Sequence, residues 1–271
     1  MTDAANRLEE IATDESRAWP IGEAALLLAA LDHPGRDIDA YIRHLGNLAE
    51  GIGKVESSAA RADMLATNLH VEQGYRGDSE NYDDMANANL MSVIDRRRGL
   101  PVALAILYIE TARRAGWPAW GLDLPGHFVL RIDGQAAGDW TVIDPFHGGI
   151  PVETGTLRQM IKTYTGPGAD LEPRHMEPMA DRDVLLRLLN NIRGRALQAE
   201  DAGRGLEIMD RMLLIAPREA GLWLESAAIR VKLGQLMGAR EAVDRCMALE
   251  PDRHVQAKAE RLLGTLRRDL N

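Results

Sequence analysis

The sequence predicts an α+β domain followed by an all-α helical-repeat region, and three observations carry that reading. Apolar residues recur at helical spacing over both ends of the chain. Two alternating segments, HFVLRI (127–132) and WTVIDPF (140–146), flank the turn IDGQAAGD. In the tail, IAP and LEP set Pro217 and Pro251 34 residues apart. Two Phe, five Tyr and five Trp in 271 residues leave Ala, Leu, Ile and Met to fill most of the interior. That composition favours helix over sheet.

The elements follow in order. A first helix is broken by TDESRAWP (13–20), and Pro20 permits a restart. Ile21 to Leu31 is the second helix, closed near His33-Pro34-Gly35. Ile38, Tyr41, Ile42, Leu45 and Leu48 mark a third, and Ser57 to Gln73 a fourth that ends at Gly74. GYRGDSENYDD is polar and reads as a loop. Asn89 to Arg97 is a short helix with Leu90, Val93 and Ile94 on one side. Helix Pro101 to Arg114 stops at Gly116-Trp117-Pro118. Ala119 to Leu124 is a candidate third strand beside the two named above, and a helix is expected near Thr156 to Tyr164. EPRHMEPMADR (172–182) holds the expected border, giving a mixed domain over 1–178 and helical repeats over 179–271.

Composition excludes several classes. A formal net charge of −9 argues against a polyanion-binding chain. The longest apolar run, VALAILYI, is far below the roughly 18 residues of a membrane span, and MTDAANRLEE is unlike a secretory signal. The one cysteine, Cys246, excludes an intrachain disulfide and a cysteine zinc cluster. GPGAD (166–170) lacks the lysine and hydroxyl of a nucleotide loop, so no cofactor is expected. The expected setting is the bacterial cytoplasm, without nucleic-acid or membrane partners.

In the tail, Trp223, Ala239 and Pro251 fall at the fourth, twentieth and thirty-second positions of a 34-residue unit. Gly205, Met212 and Pro217 mark a weaker preceding unit. These spacings resemble a tetratricopeptide repeat. Cys246 takes the twenty-seventh position, where a small residue sits between packed helices, so it reads as a buried hydrophobe. The leucines from Leu185 to Leu189 are expected to meet the first domain.

The stretches YDDMANANLMSVIDRRRGLPVALAILYIETARRAG, LPGHFVLRI and VIDPFHGG resemble the transglutaminase-like, papain-related superfamily. The closer likeness is to the bacterial branch that carries C-terminal tetratricopeptide repeats. The resemblance implies a transglutaminase-like core with a helical N-terminal extension. It implies a nucleophile at the start of the buried helix, with His127 and Asp144 as its partners on successive strands. Gly99 matches the glycine before the nucleophile, whose own position falls on Pro101. Proline has no nucleophilic atom, and Ala105 replaces a hydroxyl often found farther along this helix. Thiol chemistry is therefore not expected.

The expected function is non-catalytic: a degenerate cleft plus repeats that bind a peptide or protein. Asn87, Arg98, Pro101, His127 and Asp144 are the cleft candidates. The alternatives are a hydrolase in which His127 and Asp144 activate water, and a purely structural module. His127 is expected to hydrogen-bond Asp144 across adjacent strands. His127, Asp144 and His147 form a weaker metal-binding alternative. Arg96, Arg97 and Arg98 read either as a site for an acidic group or as ion-pair partners of Asp83, Asp84 and Asp95.

Overall fold

The computed structural model describes residues 3–14 and 19–269, with side chains to residue 267. Residues 15–18, part of the break expected at 13–20, lie outside the described residues. Helix α1 (Asp3–Thr13) opens the chain. There follow α2 (Ile21–Ala30), α3 (Ile38–Asn47) and α4 (Ser58–Ala66), the last continuing as a π-helical stretch, Thr67–Glu72. Next come β1 (Arg76–Gly77), a 3-10 turn at Met85–Ala88, α5 (Leu90–Arg96), β2 (Arg98–Gly99) and α6 (Pro101–Arg114). A sheet of β3 (Ala119–Leu124), β4 (His127–Asp133), β5 (Trp140–Asp144) and β6 (Ile150–Pro151) is antiparallel in that order. Helices α7 (Thr154–Thr165), α8 (Asp181–Gln198), α9 (Ala202–Ile215), α10 (Ala220–Lys232), α11 (Leu236–Ala248) and α12 (Arg253–Asp269) complete the chain.

Local chemistry sets these boundaries. Side chains of Asp37, Ser57 and Asn89 accept first-turn amide protons and so cap α3, α4 and α5. Arg97 ends α5 in the left-handed region at φ 58°, and Gly74 does the same after the π-helical stretch at φ 76°. Pro101 stands at the first turn of α6, where a missing N–H costs nothing.

The chain forms two compact units, Ala18–Leu188 and Met1–Arg17 with Leu189–Asn271. In the first, α6 is buried on all sides, with Ala103, Leu104, Ala105, Ile106, Leu107, Tyr108 and Ile109 all at 0% exposure. Its alanines let α4, α5 and the sheet approach closely. The other face of the sheet, bearing Leu122, Val129 and Val142, packs on Leu157 and Ile161 of α7. Among the described residues no helix is long and apolar enough to cross a membrane.

The units differ from the expected 1–178 and 179–271 at both ends. Of the leucines expected to meet the first domain, Leu185 and Leu188 are buried and fall in the first unit with Val184, although they lie past residue 178, while Leu189 falls in the second. Helix α8 runs through the division without a linker. Helix α1 belongs instead with the repeats, because its stripe of Leu8 and Ile11 is buried there, with α9 alongside. Within the repeats, Ala227 and Ala239 are fully buried and bring α10 and α11 together, with Cys246 in the same cluster. The Trp223 indole N–H donates to the Pro217 carbonyl at 2.9 Å, tying the tryptophan of one repeat to the proline that closes the repeat before.

Candidate functional site

The entrance to α6 is built by a short parallel pair, where the sequence predicts a loop at 74–84. β1 and β2 align Arg76 with Arg98 and Gly77 with Gly99. The Gly77 amide donates to the Phe146 carbonyl at 3.0 Å, linking this pair to the turn after β5. Gly77 has no room for a side chain, since a Cβ would stand 2.5 Å from the Phe146 ring.

Asp78 follows and is 1% exposed. Its carboxylate accepts a hydrogen bond from the Asn81 backbone amide at 3.1 Å and pairs with Arg96 at 3.1 Å and Arg98 at 3.8 Å. Burial alone would raise this carboxyl. The Asn81 amide, the Asn87 side chain and the two guanidiniums outweigh it and hold Asp78 below the usual carboxylate range. Arg96 also pairs with Asp84, and Arg98 with Glu80. Asp95 pairs with Arg36 instead. The basic run is thus engaged by its own fold, chiefly through Asp78, which is not among the expected partners Asp83, Asp84 and Asp95. The signal was only partial: Asp78 stands in the polar stretch GYRGDSENYDD, where an Asp side chain readily accepts a nearby backbone amide.

Arg97 takes a different path. Its guanidinium lies 4.5 Å from the centre of the buried Tyr75 ring and bonds the Tyr75 hydroxyl. The same group donates to His44 Nε2 at 2.9 Å, and that nitrogen lies 2.7 Å from the Tyr75 hydroxyl. Burial first, and Arg97 second, push the His44 imidazole below its ordinary value of 6.5. A depressed histidine contributes stability above its unfolded pKa, and the contribution is lost as pH falls through the lower folded value. Melting temperature is therefore expected to drop as pH falls below 6.5, and His44→Gln should flatten that drop while keeping an acceptor for Arg97. Identical pH profiles for the two chains would refute the assignment.

The cleft candidates are placed as follows. Asn87 is fully buried, and its Nδ2 donates to the Asn81 carbonyl at 2.7 Å. Its Oδ1 has no partner among the described residues. Arg98 is held as above, and Pro101 is half-buried at the start of α6. Tyr82 meets Phe146 edge-on, with ring centres 5.8 Å apart.

The expected bond between His127 and Asp144 is not among those formed. Register sets the two residues diagonally rather than opposite. Leu130 faces Ile143, so Asp144 comes level with Val129, and His127 lies two residues farther on, paired with Leu124 at the β3–β4 turn. Asp144 is instead used by its own turn. Oδ1 accepts from the Phe146 amide at 2.9 Å and the His147 amide at 3.3 Å, and Oδ2 bonds His147 Nδ1 at 2.7 Å. The bond expected with His127 is thus replaced by one with His147, and the expected trio does not gather as a metal site. Among the described residues no three His, Cys, Asp or Glu gather where a metal ion could be held.

The repeats present a groove of about 490 Å³ between α10 and α12. Leu224, Ala228 and Leu262 give it an apolar lining, and Lys258 and Arg261 give it positive charge. Glu225, on the same face, is tied to Arg193 of α8. Cys246 lies elsewhere, fully buried on α11, and burial pushes its thiol up.

A small antiparallel sheet packed on a buried helix, continued by stacked helix pairs, defines a transglutaminase-like domain with a tetratricopeptide region. Family comparison agrees: residues 28–190 match the transglutaminase-like superfamily and 192–264 a tetratricopeptide repeat. The chain belongs to the transglutaminase-like superfamily. It is 30% identical over 259 residues to a UPF0162 protein of Xylella fastidiosa (strain 9a5c), covering 90% of this chain and 89% of the relative. A UPF0162 protein of Pseudomonas aeruginosa is 28% identical over 247 residues, 90% of each chain. F-box only protein 21 of Homo sapiens is 29% identical over 104 residues, 36% of this chain and 17% of that protein. Tetratricopeptide repeats in general mediate contacts between proteins.

Proposed function

We propose that the chain is a non-catalytic peptide- or protein-binding protein of the bacterial cytoplasm, in which a degenerate transglutaminase-like unit accompanies a binding repeat region. The observation that carries this reading is the groove between α10 and α12, whose apolar lining is bordered by Lys258 and Arg261. Its chemistry suits an acidic peptide with apolar residues at helical spacing. Three features count against catalysis. Pro101 stands at the position expected for the nucleophile, Asp144 is bonded to His147 and its own turn, and the one thiol is buried in a repeat helix. A single cysteine in 271 residues fits a reducing compartment.

The test is an array of short amphipathic peptides, acidic and basic, probed with the full chain. Acidic members should bind. Lys258→Glu with Arg261→Glu should weaken them by roughly tenfold or more, as expected when two charge-assisted contacts become repulsive. Binding unchanged in that variant would remove the groove from consideration. Peptide-amide turnover that disappears in Cys246→Ala or in His127→Ala would overturn the non-catalytic reading.

A further inference from the structure

A second cavity lies in the repeat unit, away from the groove just described. It measures about 520 Å³ and is walled by α1, α9, α10 and α11. Its size is that of a small-molecule site. One wall is apolar, made by Leu213, Leu214, Pro217 and the Trp223 ring. The Trp223 N–H is already spent on the Pro217 carbonyl, which fixes the indole and leaves its ring as a surface for contact.

The charges are balanced but not all satisfied. Asp210 and Arg230 answer each other at 2.9 Å. Glu9 and Arg245 also line the cavity, and among the described residues neither side chain has a hydrogen bond or ion pair. One negative and one positive group therefore remain open beside an apolar wall. A polyanion would meet Glu9 and Asp210, and a simple hydrocarbon would leave both open charges unanswered.

We infer that this cavity binds a small zwitterion with an apolar body, of amino-acid or dipeptide size. Its ammonium group pairs with Glu9, its carboxylate with Arg245, and its side chain lies against Trp223 and Leu213. Arginine suits the carboxylate because its guanidinium presents two parallel donors. Because Glu9 and Ala12 come from α1, a bound ligand would also bridge α1 to the repeats within this unit.

The probes are L-leucine and L-leucyl-L-leucine, titrated into the full chain by calorimetry. Saturable binding by one of them is expected, and which one binds separates the free amino acid from the peptide. N-acetylation or C-amidation of the binding probe should each weaken it by about threefold to tenfold, the range for one partly solvated charged contact. Arg245→Gln should remove the penalty for amidation alone, and Glu9→Gln the penalty for acetylation alone. Both side chains are exposed, so neither variant threatens the fold. The inference fails if neither probe saturates below about 10 mM. It fails equally if the capped probes bind as well as the zwitterion, or if both variants keep full discrimination.

Discussion

A chain ending at residue 178 is expected to lose the cooperative fold of the transglutaminase-like unit. The cause is the first half of α8, which contributes Val184, Leu185 and Leu188 at 0–2% exposure. Removing three such side chains forfeits roughly 5–9 kcal/mol of apolar burial, comparable to the whole stability of a typical domain. Polar ties would go too: Asp181 pairs with Arg113 at 2.5 Å, and Arg187 with Asp123 at 3.6 Å. In the full chain, Leu185→Ala with Leu188→Ala should cost roughly 4–8 kcal/mol by denaturant titration. A chain ending at 200 keeps all of α8 and should retain the fold. Equal midpoints for the chains ending at 178 and 200 would show that α8 adds nothing to this unit.

Two adjacent glycines should respond very differently to substitution. Both Gly148 and Gly149 sit in the left-handed region, at φ 81° and 77°. A Cβ on Gly149 would stand 2.9 Å from the Tyr108 ring and hydroxyl and 3.2 Å from the Ala66 methyl. Tyr108 is fully buried on α6 and cannot move aside. Gly149→Val combines backbone strain with that collision, and a loss above about 4 kcal/mol is expected. The three atoms nearest a Cβ on Gly148 all belong to the ring of His70, an exposed residue held by one bond from Nδ1 to the Tyr75 carbonyl at 2.9 Å, so it can yield by giving up that bond. Gly148→Ala should cost about 1–3 kcal/mol, from its φ and from the bond His70 gives up. Nothing lies within 4 Å of a Cβ on Gly155 in α7, so Gly155→Ala is the control and should be neutral or slightly stabilising. Similar midpoints for the variants at 148 and 149 would contradict this account of the DPFHGG turn.

Much of the fold was legible because its signals are local. Helix α6 begins and ends at Pro101 and Arg114 as its proline and its Gly116 exit imply. Strands β3, β4 and β5 follow their alternation. Burial of Cys246 follows from its place in a repeat whose packed positions recur. The two-residue β1 and β2 were not legible, since so short a pair carries no periodicity and exists only through its partner. The site was less legible than the fold. Its residues were placed by order along the chain, and order does not fix register. An offset of two residues between β4 and β5 leaves His127 diagonal to Asp144 rather than opposite it, and His147 in the same turn takes the carboxylate.

What the sequence determined by itself is the set of elements, the repeat period and the lack of a thiol at the start of α6, because each depends on residue type and spacing over a turn or two. Only the tertiary structure decided where long-range partners fall. It buried Asp78 between Arg96 and Arg98, gave Asp144 to His147, and assigned α1 to the repeats across more than half the chain. Each of those outcomes is a choice among several chemically acceptable partners. A carboxylate is satisfied by any nearby donor, and an apolar stripe by any complementary face, so the winner is set by the geometry that the rest of the chain imposes.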